Sequence, residues 1–228
     1  MVAMPTVPAT TLRPASARPC PRVDRLEPHV DESPSPASGV LPSGGQVRPI
    51  TRWGTAVMHR RLDPVTAFDE DLRSLVADMV ATMYAAEGVG LAANQIGVAL
   101  AVFVFDCPDD DGARHAGIVC NPVVELPEGP DRRLDEGEEG CLSLPGAYVE
   151  CPRPDRARVS GLGLDGSPVT YEGTGLLARC LQHEADHLAG TVFADRIGKR
   201  VRKRLFRQAE ELEDEFPSDW PVTPRTPS

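Results

Sequence analysis

Apolar residues recur at helical spacing over residues 69–86, where Leu72, Leu75, Val76, Met79 and Met83 share one face and Asp69, Glu70 and Asp71 crowd the first turn. Acidic groups at that end meet the positive pole of the backbone dipole, so the segment predicts an amphipathic helix. The period then changes. Residues 99–105 and 117–121 are nearly continuous apolar, β-branched runs, which predict strands, and residues 156–164 and 168–172 flank an Asp165-Gly166 turn as the arms of a hairpin. A second helix is expected over about residues 174–189. Thr174 can cap it, Gly190 can take the left-handed conformation that ends it, and Leu176, Cys180, His183 and His187 fall on one stripe. A third, expected over residues 197–215, places basic residues first and acidic ones last, an order that opposes the helix dipole.

The pattern fails at both ends. Residues 32–45 are too rich in Pro, Ser and Gly to pack a core, and residues 1–45 are expected to be a disordered extension, with Met4 as an alternative start. Arg13, Arg18, Arg22 and Arg25 beside the single acid Asp24 give the first stretch some likeness to an organelle address, but Pro5, Pro8, Pro14, Pro19 and Pro21 break the helix such addresses form. Residues 216–228 hold four prolines and are expected to be a second disordered tail, which places the folded domain at residues 46–215.

Charge and cysteine usage narrow the setting. The chain carries a formal charge of -10, and residues 106–139 hold eleven acidic groups against Arg114, Arg132 and Arg133, which argues against a nucleic-acid partner. No apolar run approaches the ~18 residues a membrane span needs, and the N-terminus lacks a secretory apolar block. A cytoplasmic monomer is expected, with organelle targeting as the alternative, and its six cysteines are read as thiols rather than a disulfide framework.

The sharpest local signal is His183-Glu184-Ala185-Asp186-His187 on the second predicted helix. A separation of four residues puts both imidazoles on one face about a turn apart, so both reach one cation, with the glutamate beside its open position. Two surface histidines on an ordinary helix are the alternative. The chain has only five histidines and this stripe is apolar, which favours ligation. A catalytic site needs a third ligand and must leave a place for water. Metzincin-like proteases place a histidine six residues on, but position 193 is Phe. Glu210 or Glu211 are candidates of the thermolysin kind, within an acidic run that reads as a solvated face. Upstream, Cys141 in Glu138-Glu139-Gly140-Cys141-Leu142-Ser143 offers a soft thiolate that would complete a tetrahedral site with water.

Gly88-Val89-Gly90-Leu91-Ala92-Ala93-Asn94-Gln95 follows the first predicted helix, and its glycines mean close backbone approach to something. The three motifs in this order, G-x-G-x-A-A-x-Q, E-G-C-L-S and H-E-x-D-H, resemble the peptide deformylase family without a mismatch, over residues 48–197. The resemblance implies an α+β fold, with small antiparallel β-sheets around a central metal-carrying helix, an N-terminal amphipathic helix and a C-terminal helix. It implies hydrolysis of the N-formyl group from formyl-methionyl nascent peptides, met at the ribosome, with formate as product.

By the same resemblance Cys141, His183 and His187 hold one divalent metal, Fe(II) as the native ion, although the ligand set suits Zn, Ni or Co as well. Glu184 is implied as the proton acceptor and donor, and the Gln95 amide and Leu142 backbone N–H as donors to the formyl oxygen. Val89, Gly90 and Gly140 are implied to lie along the substrate, with Leu176, Arg179 and Cys180 near the methionine pocket. Glu139 and Asp186 are candidates to orient the imidazoles, and Tyr148 stands near where many family members carry a basic residue. The alternatives are an H-E-x-x-H metallopeptidase and a non-catalytic zinc-stabilised domain.

Overall fold

The computed structural model describes residues 39–227. Helix α1, Glu70–Ala85, starts where the acidic run predicts: the Asp69 carboxylate accepts the Leu72 backbone N–H at 3.1 Å and caps the first turn. Nine strands follow: β1 Gly90–Ala92, β2 Val102–Pro108, β3 Arg114–Glu125, β4 Leu134–Asp135, β5 Glu138–Cys141, β6 Leu144–Glu150, β7 Arg153–Pro154, β8 Arg156–Leu162 and β9 Pro168–Thr174. Helices α2, Gly175–Leu188, and α3, Lys199–Glu211, complete the regular structure. The α+β expectation is met.

The main sheet has five antiparallel strands in the order β1-β2-β3-β8-β9. Alternation along β2 explains how it is covered. Val102 and Val104 join the core under α1, with Val76, Met79 and Met83, while Phe103, Phe105 and Cys107 join the core under α2, with Leu177 and Leu181. A strand buried on both faces has no polar register, which is why residues 99–105 read as a continuous apolar run. β3 is longer than residues 117–121 because its ends are polar and its middle alone is apolar. The bulge between Cys120 and Val123 holds Asn121 at φ 53, and its amide clamps Val65, accepting its N–H at 2.8 Å and donating to its carbonyl at 2.9 Å.

Two small hairpins, β4 with β7 and β5 with β6, lie outside the main sheet. Helix α3 packs Leu205 into a third core with Ala147, Val149 and Phe193, while Phe206 packs on Trp53 with ring centroids 4.7 Å apart. Apart from Leu205 its residues are exposed or half-buried, which lets its reversed charge order stay solvated. No helix among the described residues is long and apolar enough to cross a membrane. The five described cysteines are free and buried, and Cys20 lies outside the described residues.

The tails require a correction. Of the expected N-terminal extension, residues 1–38 lie outside the described residues, but residues 39–45 pack: Gly39 N–H donates to the Ala116 carbonyl at 3.0 Å, and Leu41 lies against the core under α1. The expected loose tail after residue 215 is also packed. Phe216 and Trp220 belong to that same core with their rings edge to face, the Trp220 carbonyl accepts Ile50 N–H at 2.8 Å, and Arg52 donates to the Phe216 and Pro217 carbonyls. Proline content suggested disorder, whereas two large aromatic side chains supply the apolar area that holds the segment down.

Candidate metal centre

Helix α2 carries the central residues because its apolar side, Leu177, Leu181 and Leu188, is held in the core beneath the sheet. His183 and His187 then project one turn apart from the same helix, and their Nε2 atoms lie 3.2 Å apart. Cys141 arrives from another part of the chain. It ends β5 at a register shift after Gly140, an irregularity that re-aims the side chain, and its Sγ lies 3.4 Å from His187 Nε2. The ligand atoms of Cys141, His183 and His187 all lie within 4.8 Å of one another, and all three residues are buried.

These residues fit a divalent metal ion. A thiolate and two imidazoles are the donor set of a catalytic tetrahedral site with one place left open. Burial pushes the His187 imidazole well below its ordinary range, favouring the neutral form that ligates. Burial acts on His183 in the same direction, but Cys141 and Glu139 outweigh it and hold that group well above its ordinary range. The same cleft holds the Glu184 carboxyl, buried, with an Oε2 atom that has no hydrogen-bond partner among the described residues. Burial pushes its pKa up to about 7, where a carboxyl can take and return a proton near neutral pH.

Around the ligands lies a buried ionic network. Glu139 accepts from His183 Nδ1 at 2.7 Å, which fixes the imidazole tautomer and turns Nε2 toward Cys141 and His187. Arg153 grips the same carboxylate with Nε at 2.8 Å and Nη2 at 2.6 Å, and Arg179 Nη1 adds a third bond at 3.0 Å. Burial alone would raise the Glu139 pKa, but Arg153 and His183 overcome it and hold the carboxyl well below the usual range. The Asp186 carboxylate makes no hydrogen bond to an imidazole among the described residues. It accepts from Arg153 Nη1 at 2.8 Å and from Arg196, so it acts on the centre through Arg153. Charges this buried are costly singly, and forked guanidinium pairing is what keeps them together.

The remaining sequence-derived candidates converge on the same cleft, about 820 Å³ in volume. Gln95 sits in a 3₁₀ turn, Ala93–Ile96, where its Oε1 accepts the Ala92 N–H at 2.8 Å. That bond leaves Nε2 facing Cys141 Sγ at 3.6 Å and Ser143 Oγ at 3.5 Å. Leu142, Val89, Gly140, Leu176, Arg179 and Cys180 all line the cleft. Tyr148 pairs with Gly140 across β5 and β6, and a Cβ at Gly140 would meet its ring at 2.4 Å.

Gly90 is equally constrained. A Cβ there would lie 2.6 Å from Glu184 Oε1 and 2.8 Å from Cys180 Sγ. The Gly90→Ala protein is therefore expected to displace the Glu184 carboxyl and lose about 1–3 kcal/mol of stability by overpacking. Denaturant midpoints of the two proteins check this. An unchanged midpoint would show that Glu184 has room to move aside.

The proteolytic alternatives find no support in the geometry. Phe193 is buried with its ring 5.9 Å from that of His183, so it supports the helix rather than the ion, and Glu210 and Glu211 are exposed on α3, outside the converging cluster. Sequence reasoning missed Arg153 and Arg196, because single arginines near prolines and turns carry no spacing signal. Asn94, which donates to the His187 carbonyl at 3.0 Å, was visible only as one letter of a motif.

Comparison with known proteins gives one family. The model of the polypeptide deformylase family matches residues 47–203. Peptide deformylase 1 of Streptomyces avermitilis is 55% identical over 174 residues, covering 76% of this chain and 80% of that protein. Peptide deformylase 2 of Streptomyces coelicolor is 52% identical over 171 residues, covering 75% and 94%. Among solved structures, a peptide deformylase from Legionella pneumophila superposes with a TM-score of 0.66 at 36% identity, covering 79% of this chain and 99% of that one. A peptide deformylase from Synechococcus elongatus in complex with actinonin gives 0.64 at 32%, covering 75% and 94%.

Proposed function

We propose, from the premise that this chain belongs to the polypeptide deformylase family, that it removes the formyl group from the formyl-methionine terminus of newly made polypeptides by metal-dependent hydrolysis, releasing formate. The observation that carries the metal dependence is the convergence of Cys141, His183 and His187 with the buried Glu184 carboxyl, whose Oε2 has no hydrogen-bond partner among the described residues. When bound there, a divalent cation supplies Lewis acidity, polarising the formyl oxygen and acidifying water near neutral pH. Fe(II) is our choice of native ion on the family resemblance, since thiolate and imidazole donors suit Zn, Ni and Co as well.

The residues divide the remaining work. Glu184 takes the proton of the water that attacks the formyl carbon and hands it to the nitrogen as the C–N bond breaks, because an amine leaves readily only when protonated. Charge growing on the formyl oxygen is met by the Gln95 side-chain amide and the Leu142 backbone N–H. Gln95 needs no reorganisation for this, since the bond from Ala92 already orients its amide. Val89, Gly90 and Gly140 run along the substrate main chain, where the glycines allow close approach. Glu139 keeps His183 in its ligating tautomer. The folded catalytic domain begins before residue 46 and includes the C-terminal segment. Substrates are met in the cytoplasm, on nascent chains at the ribosome, by a monomer.

Under anaerobic conditions the protein is expected to release one formate for each new amino terminus formed from formyl-Met-Ala-Ser. Exhaustive chelation should abolish the reaction, and re-addition of Fe(II) should restore it. Release that survives chelation would overturn the metal dependence, and no release from the metal-loaded protein would overturn the substrate assignment.

A further inference from the structure

The cleft that holds Cys141, His183 and Glu184 does not end at the motif residues. The same cavity is bounded by Phe216, Trp220, Pro221, Pro224 and Arg225 of the C-terminal segment, all beyond the residues that the family model matches. That wall is firmly built. Besides the bonds of Trp220 and Arg52 already described, Thr226 N–H donates to the Glu215 carbonyl at 3.1 Å. Gly146, at φ 78, brings β6 so close that a Cβ there would lie 3.0 Å from the Phe216 ring. Arg225 is held in place on two sides, with Nε donating to Glu215 at 2.8 Å and the guanidinium 5.1 Å from the centre of the Phe216 ring, while its side chain stays 47% exposed. A preformed cation at the rim of an apolar wall offers donors to peptide oxygens at little entropic cost.

A cleft of about 820 Å³ is of the size that encloses a drug-sized ligand, roughly 300–1,000 Å³, and is more than a single formylated residue fills. We propose that the C-terminal segment is a substrate subsite for the residues that follow formyl-methionine, with Phe216, Trp220 and Pro224 contacting their side chains and Arg225 donating hydrogen bonds to their carbonyl or carboxylate oxygens. The occupant is the nascent peptide itself, because the wall is continuous with the cleft in which the formyl end is bound. This inference rests on the function proposed above.

The test compares formyl-Met-Ala with a formyl-Met peptide extended by five further residues, neutral or acidic, using formate release by the metal-loaded full chain. In Arg225→Ala the ratio of kcat/KM for the long peptides to that for formyl-Met-Ala is expected to fall about tenfold, the size of one lost charge-assisted hydrogen bond, through KM rather than kcat. Arg225→Lys should recover part of that ratio. A larger fall for the acidic peptide identifies carboxylate recognition, and an equal fall for both identifies main-chain carbonyls. An unchanged ratio, or an equal loss on short and long substrates, overturns the subsite. If the unaltered protein released no formate from formyl-Met-Ala, the functional assignment itself would fail instead.

Discussion

Glu184→Gln is expected to bind metal as the unaltered protein does and to release formate about 10²–10⁴ times more slowly, the contribution typical of a positioned proton-transfer group. The substitution preserves volume in a place where space is short, since the carboxyl is buried and lies against Gly90. It removes only the ability to accept a proton. The three ligand atoms are untouched, so metal content by elemental analysis should stay stoichiometric and the thermal midpoint should shift little. Formate release at the unaltered rate would refute the role given to Glu184. Loss of the metal along with the activity would make the residue a structural support of the centre.

Replacing Cys141 with Ala should have the other large effect, and by a different route. Two imidazoles on one helix remain, but the donor that closes the site from β5 is gone. Metal affinity is expected to fall by more than about 100-fold, beyond the 10–100-fold that loss of a merely supporting partner costs. The purified variant should therefore carry little metal and release no formate. The thiol fills a small site next to Leu144 and Ala147, so alanine should leave the fold intact. Circular dichroism and a melting curve on the same sample separate metal loss from unfolding. Stoichiometric metal in a folded Cys141→Ala protein would mean that another residue supplies the third ligand, as the metallopeptidase alternative requires.

Much of the centre was legible along the chain because its parts obey local rules. His183 and His187 are one helical turn apart, a relation fixed by backbone geometry alone, and the apolar stripe around them predicted the helix that carries them. Gly90 was marked within a segment of close backbone approach, and it proves, as does Gly140, to have no room for a Cβ. Asp69, Gly190 and the Asp165-Gly166 turn likewise stand where their short-range chemistry put them: Asp69 caps α1, and Gly190 and Gly166 adopt positive φ values. Thr174 occupies the cap position of α2, but its hydroxyl makes no capping bond.

What stayed hidden depends on residues far apart in sequence. The Arg153 fork on Glu139 spans fourteen residues and its bond to Asp186 spans thirty-three, and no window of sequence records which distant acid an arginine will meet. The C-terminal segment misled for the same reason. Its prolines are a local signal of irregular backbone, whereas the burial of Phe216 and Trp220 depends on a surface built from α1 and from the segment around Ile50. Irregular backbone and disorder are different properties, and only packing separates them.

By itself, then, the sequence determined the two imidazoles, the glutamate between them and the helix that presents them, all consequences of spacing within one or two turns of chain, while the α+β class followed from the resemblance its motifs carry. Only the tertiary structure decided that Cys141 Sγ lies 3.4 Å from His187, that a buried Glu139 holds the ring of His183, and that the far wall of the cleft is the end of the chain. The physical reason is that helical and strand periods are written into neighbouring residues. The meeting of separate segments is set by which apolar faces and buried charges can satisfy one another, a property of the whole fold.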